Sequence, residues 1–202
     1  MATLYDLKPR FQALLRPAVG ALARAGVTAN QVTLAAMLLS LAWGAAIVAS
    51  GGATAALLGL PVVLLLRMAL NAIDGMLARE HGQASRLGFF LNEVGDVVSD
   101  AALYLPLMLA LAPDAPLLAG GTAVVIALTE MAGVLGRAAG GARRYDGPFG
   151  KSDRAVFFSV LAVAATLFAL PAWVPSTAIS LACGLSAATV ATRVTAALRE
   201  GS

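Results

Sequence analysis

Polar and acidic side chains are concentrated between Asn71 and Asp100, beside two apolar segments long enough to span a membrane. Ionisable groups at membrane depth are costly, so they usually mark a functional site. Asn71 and Asp74 are three residues apart and Asn92 and Asp96 are four apart, so each pair shares one helix face. Oxygen ligands that converge in this way suit a hard cation such as Mg²⁺. The segment is therefore a candidate site for a divalent cation.

The same segment carries a long motif with fixed spacing. It reads N-x2-D-G-x2-A-R-x8-G-x3-N-x3-D from Asn71 to Asp96. This resembles the signature of the CDP-alcohol phosphotransferase (CDP-alcohol phosphatidyltransferase) family, D-x2-D-G-x2-A-R-x8-G-x3-D-x3-D. Every spacing agrees, and the matching residues are Asp74, Gly75, Ala78, Arg79, Gly88 and Asp96. Two positions differ, because Asn71 and Asn92 stand where the family's first and third aspartates usually stand.

The composition indicates a polytopic membrane protein. Hydrophobic residues make up 59% of the 202 residues and charged residues only 12%, about half the charged fraction that is usual in a soluble domain. A membrane span needs roughly 20 mainly apolar residues. Six segments satisfy this length, at about 31–51, 53–73, 88–112, 115–137, 154–171 and 175–197. We expect an all-α fold: one domain over residues 1–202, with a bundle of six transmembrane helices at 31–197.

The segment before the first span, residues 4–24, is expected to form an amphipathic helix at the membrane interface. Its apolar residues can share one face, and they are Leu7, Phe11, Leu14, Leu15, Val19 and Leu22. Its basic residues can reach lipid headgroups, and they are Lys8, Arg10, Arg16 and Arg24. Because the net charge is +3 in so apolar a chain, anionic membrane lipids are the expected partner and nucleic acid is not.

The resemblance implies a reaction and a set of residue roles. An alcohol hydroxyl attacks the phosphate next to the lipid-bearing group of a CDP-linked donor such as CDP-diacylglycerol, and CMP leaves. Asp74 is then a metal ligand, and Asp96 is the general base or a ligand near it. The ligands for Mg²⁺ or Mn²⁺ would be Asn71, Asp74, Asn92 and Asp96 at the motif positions, and Asp100, which the motif does not include, is a fifth candidate ligand. The resemblance also makes a homodimer a candidate assembly.

The charge of that ligand set is low, because an Asn oxygen can bind a cation but brings no negative charge. Asp100 lies one helical turn beyond Asp96 and is expected to restore part of the charge, unless it bonds to a neighbouring helix. Three alternatives remain open: two weakly bound metals, a single metal, or loss of catalysis. A non-catalytic lipid- or nucleotide-binding membrane protein is the competing function. A transporter is less favoured, because no chain of polar residues crosses the bilayer.

Two further groups of residues are candidates for substrate contacts. By resemblance, the nucleotide would lie against Gly75, Ala78, Arg79, Gly88, Asn30 and Thr33. Close helix packing is the alternative for the small residues, and helix capping by Thr28 or Asn30 is the alternative near the first span. The basic loop before span five favours a phosphorylated acceptor over a neutral one. The acceptor would lie against Lys151, Arg154, Arg143, Arg144 and Glu130. For the basic residues, the alternative is a role in membrane orientation alone. For Glu130, which lies inside span four, the alternative is a structural pair with a cation or polar side chain of the bundle.

Topology supplies the first testable prediction. All 14 Lys and Arg residues fall on one side of the six-span arrangement, so the positive-inside rule puts both termini and the motif on the cytoplasmic side of the inner membrane. A reporter fused after Ser202 should be active only in a format that reads the cytoplasm. A fusion after Asp114, on the opposite side, should give the reverse result. A periplasmic signal from the Ser202 fusion would overturn the orientation.

Overall fold

The fold consists of α-helices throughout the described part of the chain. The computed structural model describes residues 4–200, with side chains from residue 9 onward. Its helices, in chain order, are α1 (Leu4–Arg24), α2 (Ala29–Ala49), α3 (Thr54–Glu80), α4 (Arg86–Leu111), α5 (Pro116–Ala138), α6 (Lys151–Leu167) and α7 (Trp173–Glu200). The all-α prediction is confirmed over these residues.

Five of the helices, α2, α3, α4, α5 and α7, are long and apolar enough to cross a membrane. The protein is therefore a multi-pass membrane protein. The sixth predicted span, about 154–171, corresponds to α6, which has 17 residues and a length of about 25 Å. It ends at Leu167 because Pro171, in a continued helix, would clash with the carbonyl group of Leu167. The six-span count is not confirmed and stays a prediction.

The helices pack closely enough for backbones to touch. α2 packs against both α3 and α4, α5 packs against α7, and α3 packs against α6. A Cβ atom added to Gly44 on α2 would lie 1.9 Å from the carbonyl oxygen of Ala102 on α4. Only glycine allows this approach, which is typical of helix contacts in membranes. The close contact fixes α4, and with it Asp96 and Asp100, against α2.

The predicted helix at residues 4–24 is present as α1. Val19 is buried against α3, in a small apolar cluster that also contains Met76 and Leu77. Arg16 forms an exposed ion pair with Glu80 at the end of α3. The proposed roles of the Leu7 and Lys8 side chains lie outside the described residues. The location of α1 at the membrane interface stays a prediction.

The motif lies on two helices and the short connection between them. α3 continues to Glu80, beyond the predicted end of the second span at 73, so the first half of the motif is helical. Ser85 caps α4 by accepting a hydrogen bond from the Gly88 amide at 2.9 Å. Gln83 accepts a hydrogen bond of 2.7 Å from the Ala29 amide at the start of α2. The beginnings of α2 and α4 and the end of α3 therefore meet at one end of the bundle.

Candidate functional site

Asp96 lies at the centre of the site, buried on α4. Its Oδ1 accepts a hydrogen bond of 3.2 Å from the Asn71 side-chain amide on α3. Its Oδ2 accepts a short hydrogen bond from the Lys151 ammonium group at the start of α6. Arg67 on α3 lies 3.4 Å from Oδ1 and donates to the Asp96 backbone carbonyl at 3.2 Å. Three helices thus hold this carboxylate in one orientation and keep it compensated by positive charge.

Asp74 is the second buried carboxylate of the motif. It accepts a hydrogen bond of 2.7 Å from the Thr33 hydroxyl on α2. Asp96 and Lys151 both lie near enough to interact with it electrostatically. The site therefore contains two carboxylates from adjacent helices, and Thr33, predicted to lie near the nucleotide, contacts one of them.

The donor set of this site fits one divalent cation better than two. Asn71 lies on α3 beside Asp96, and half-buried Asn92 lies one helical turn before Asp96 on α4. Among residues 4–200, no three acidic, His or Cys side chains form a group that could hold a metal ion. Asp74 and Asp96 can together balance one dication, and the Asn oxygens can act only as neutral ligands.

Asp100 binds two arginines on neighbouring helices. Its Oδ1 accepts a hydrogen bond of 2.5 Å from Arg67, and its Oδ2 accepts one of 2.9 Å from Arg154. The side chain is almost completely buried. The alternative that the sequence left open, a bond to neighbouring helices, is the one observed. We therefore leave Asp100 out of the proposed metal ligands.

Glu130 on α5 is surrounded by cations from three other segments. Its carboxylate oxygens lie 2.7 Å from Arg154, 3.3 Å from Arg143, 3.7 Å from Lys151 and 3.8 Å from Arg193. Only 3% of Glu130 is exposed, and Arg154 is fully buried. Three of the five residues predicted to bind the acceptor, Lys151, Arg154 and Arg143, are thus gathered around a fourth, Glu130.

Arg143 connects this group to α4. Its guanidinium donates a hydrogen bond of 2.7 Å to Glu93, the residue that follows Asn92. Burial tends to lower the pKa of the Arg143 guanidinium, but the Glu93 carboxylate and the nearby Tyr145 outweigh burial and hold that pKa above its ordinary value. The Arg143 charge is therefore permanent and is matched by an acid.

Arg144 does not belong to the cluster of cations around Glu130. It pairs with Asp146 at 2.8 Å and with Glu200 at 2.9 Å, and both of these carboxylates are exposed. These bonds tie the loop before α6 to the end of α7. The structure thus separates Arg144 from the other residues predicted to contact the acceptor.

The residues predicted to contact the nucleotide lie around the meeting point of α2, α3 and α4. A Cβ atom on Gly75 would lie 3.0 Å from the Arg79 guanidinium, and one on Gly88 would lie 2.7 Å from the Asn30 side-chain oxygen. Ala78 packs at the edge of the small apolar cluster under α1. Thr28 caps α2, because its side-chain oxygen accepts a hydrogen bond from the Gln31 backbone amide. Asn30 is therefore not needed as the cap.

Sequence reasoning missed two buried arginines of the site. Arg67 joins Asp96 to Asp100, and Arg193 donates to the backbone carbonyls of Asp146 and Thr129 as well as approaching Glu130. Both fall inside predicted spans, at 53–73 and 175–197. A cation at that depth requires a partner. The position of both arginines inside apolar spans is the feature of the sequence that indicates buried ion pairs.

Comparison with known protein families gives a match over most of the chain. The profile of the CDP-alcohol phosphatidyltransferase family matches residues 26–196, which include every residue of the motif. The chain belongs to the CDP-alcohol phosphatidyltransferase family. It is thus a helical membrane transferase of a family that acts in phospholipid synthesis.

A relative and two solved structures show how far the likeness to other family members extends. The chain is 49% identical over 171 residues to the inner membrane protein YnbA of Escherichia coli (strain K12), covering 85% of this chain and 83% of that protein. Phosphatidylinositol phosphate synthase (PgsA1) of Mycobacterium tuberculosis, with CDP-DAG bound, matches with a TM-score of 0.74 and 21% identity. The match covers 90% of this chain and 92% of that one. Its complex with manganese and citrate matches with the same TM-score and identity, covering 90% and 88%. At this identity the structures show a shared fold.

The pairing of Asp100 can be tested by substitution. Asp100→Asn should lower the thermal midpoint of the purified protein strongly, because breaking a buried pair costs about 3–5 kcal/mol. Asp114→Asn, in the exposed turn between α4 and α5, should leave the midpoint unchanged. The Asp100 variant should still be stabilised by added Mg²⁺ or Mn²⁺ to the same extent as the native protein. If that stabilisation disappears while the midpoint without metal is normal, Asp100 is a metal ligand instead.

Proposed function

We propose that this protein transfers a phosphatidyl-type group from a CDP-linked lipid, such as CDP-diacylglycerol, to an alcohol and releases CMP. The observation that carries the proposal is the pair of buried carboxylates, Asp74 and Asp96, which belong to the family motif and lie on the consecutive helices α3 and α4. CDP-DAG bound to PgsA1, which has the same fold, supports a donor of this class.

The site residues suit a direct displacement at phosphorus. Asp96 accepts the proton of the acceptor hydroxyl as its oxygen forms a bond to the phosphorus next to the lipid-bearing group. The bond between that phosphorus and the CMP oxygen breaks, and CMP leaves with the electron pair. Asn71 and Lys151 hold the two Asp96 oxygens and so fix the direction from which the proton is taken. Lys151 also supplies positive charge beside the reacting phosphate.

A single divalent cation, Mg²⁺ or Mn²⁺, completes the proposal. Asp74 and Asp96 would hold it, with the oxygens of Asn71 and Asn92 as neutral ligands. Such a cation neutralises charge on the diphosphate and on the leaving group when bound. The manganese in the PgsA1 complex supports a cation of this class. For Asn71 to act as a ligand, its side-chain amide must turn its oxygen toward the cation.

The one-sided distribution of Lys and Arg supports a location of the site at the cytoplasmic face of the inner membrane. YnbA, which is 49% identical, is an inner membrane protein. The acceptor would then approach from the cytoplasm, past the partly exposed Lys151, while the lipid donor enters from the surrounding membrane.

The competing function, a non-catalytic lipid- or nucleotide-binding protein, is motivated by the same two asparagines. An assay of the purified protein with CDP-diacylglycerol, candidate alcohols and Mg²⁺ or Mn²⁺ distinguishes the enzyme from the binding protein. Release of CMP that depends on both donor and acceptor supports the enzyme. Binding of donor with no CMP release under any of these conditions would favour the binding protein.

The two carboxylates give the next prediction. Asp74→Asn and Asp96→Asn should each lower turnover by at least about 100-fold, because each removes a negative charge from a site with only two and Asp96 also provides the base. The measurement is donor-dependent CMP release. Size-exclusion chromatography should show that both variants remain folded.

Asp114→Asn is the matched control, since it makes the same change at the opposite end of the bundle, and it should keep native turnover. Near-native turnover in either motif variant would show that the assigned mechanism is wrong.

The asparagines give a separate prediction. Asn71→Asp combined with Asn92→Asp restores four carboxylates at the family spacing. Without metal, the new carboxylate at position 71 should repel Asp96, to which Asn71 now donates a hydrogen bond, so the thermal midpoint should fall. Mg²⁺ or Mn²⁺ should then bind more tightly than in the native protein, because each added charge favours the cation in a poorly solvated site.

Metal affinity is measured by calorimetric titration of the native and doubly substituted proteins. Turnover need not rise, because tighter binding of the ground state does not lower the barrier. An inert native protein together with an active double variant would establish the non-catalytic function. Unchanged metal affinity would mean that Asn71 and Asn92 do not face the cation.

A further inference from the structure

The cations that a phosphorylated acceptor would need are already bound to a side chain of the protein. Glu130 lies within ion-pair distance of Arg154, Arg143, Lys151 and Arg193, which come from α6, α7 and the loop between α5 and α6. It is nearly buried and projects from α5 into the space between them. A carboxylate and a phosphate make the same kind of charge-assisted hydrogen bond to Lys and Arg. Glu130 therefore occupies the position that an anionic group of a substrate would otherwise take.

The charge around Glu130 is balanced without a substrate. The cationic side chains of this group are Arg67, Arg143, Lys151, Arg154 and Arg193, and each lies within ion-pair distance of at least one acid. The acids that pair with them are Glu93, Asp96, Asp100 and Glu130, and Asp74 lies alongside. Four acids thus pair with the five cations, and the nearby Asp74 brings the number of negative charges to five. In the proposed reaction, the two charges of the cation held by Asp74 and Asp96 are balanced by the two negative charges of the donor's diphosphate. A phosphate dianion on the acceptor would therefore add a double negative charge that nothing in the group compensates.

Glu130 is close to the reacting groups. Lys151 donates to Asp96, the proposed base, and the same ammonium nitrogen lies 3.7 Å from Glu130. One lysine side chain thus separates the base from Glu130. An acceptor whose hydroxyl reaches Asp96 must place the rest of its structure beside Lys151, and therefore near Glu130.

We propose that the acceptor of this protein is an alcohol that carries no phosphate group, and that Glu130 determines this specificity. The inference rests on the proposed transfer from a CDP-linked donor. A phosphate beside Glu130 would bring like charges together in a poorly solvated site, and such contacts are strongly unfavourable. The hydroxyl groups of an uncharged polyol can instead donate to Glu130 and to Glu93 without breaking an ion pair. The basic residues of the loop, which alone favoured a phosphorylated acceptor, are here compensated by acids.

The test compares acceptors in pairs that differ only by phosphate. Native protein in lipid nanodiscs is supplied with CDP-diacylglycerol and Mg²⁺, and CMP release is measured with glycerol against sn-glycerol 3-phosphate and with myo-inositol against its 1-phosphate. The unphosphorylated member of the preferred pair should be used at least about ten-fold more efficiently, since a like-charge contact discriminates by at least this factor.

The variant Glu130→Gln keeps the shape of the side chain and removes its charge. It should shift the ratio of kcat/KM toward the phosphorylated member by at least about ten-fold. Glu200→Gln is the matched control, because Glu200 also pairs with an arginine, Arg144, but lies outside this group, and its ratio should be native. If Glu130→Gln fails to fold, the native ratio and the shorter variant Glu130→Asp still decide the question.

A binding measurement separates this inference from the proposed reaction. Calorimetric titration with sn-glycerol 3-phosphate, in the absence of donor, should show no binding to the native protein and measurable binding to Glu130→Gln. Native turnover that is as fast with the phosphorylated alcohols, or tight native binding of sn-glycerol 3-phosphate, overturns the role of Glu130 and leaves the reaction standing. Absence of CMP release with every alcohol contradicts the reaction, and the titration then still decides whether Glu130 excludes phosphate.

Discussion

The ion pairs of Arg67 and Arg154 with Asp100 and Glu130 are the interaction on which the rest of the structure depends. An unpaired charge inside a membrane protein is strongly unfavourable, so each of these side chains requires a partner on another helix. Arg67 belongs to α3, Asp100 to α4, Glu130 to α5 and Arg154 to α6. Four helices must therefore meet at one place and in one register for the charges to be compensated.

This constraint also determines what the reaction centre can be. Asp96 lies one turn from Asp100 on the same helix and shares Arg67 with it. Once Asp100 is fixed, the orientation of Asp96 is fixed as well, and Asn71 and Lys151 bind its two oxygens. The proposed base is thus oriented by the same contacts that hold the bundle together. Orientation of this kind removes the need to order the base when the substrate arrives.

Much of the fold could be predicted because it depends on local pattern. Hydropathy located the five helices that are long and apolar enough to cross a membrane, and the motif placed Asn71 and Asp96 on two consecutive helices. Helix ends were less accurate: α3 continues past residue 73 through the polar half of the motif, and α6 stops short of Pro171. Polar residues do not end a helix that emerges from the membrane, so hydropathy underestimates its length.

Pairing between distant residues could not be read from the sequence. The loop cations were expected to contact the acceptor, and the sequence did not show that Arg143 also pairs with Glu93 and Glu130 or that Arg144 pairs with Glu200. Which acid faces which arginine depends on how the helices are rotated, and a single sequence does not give that rotation. Sequence spacing correctly placed Asp100 one helical turn beyond Asp96. The partners of Asp100 are Arg67 and Arg154, which lie on other helices, and spacing along α4 gives no information about them.

The order in which these charged residues are synthesised has a consequence for the insertion of the helices into the membrane. Arg67 is made 33 residues before Asp100, and Glu130 is made 24 residues before Arg154. Since synthesis proceeds from the N-terminus, α3 carries an unmatched arginine until α4 follows, and α5 carries an unmatched acid until α6 follows. Insertion of neighbouring helices as hairpins, rather than one at a time, avoids exposing either charge to lipid. Arg154 of α6 then links the two hairpins through Asp100 and Glu130. The group around Glu130 is complete only when α7 has brought Arg193 to it.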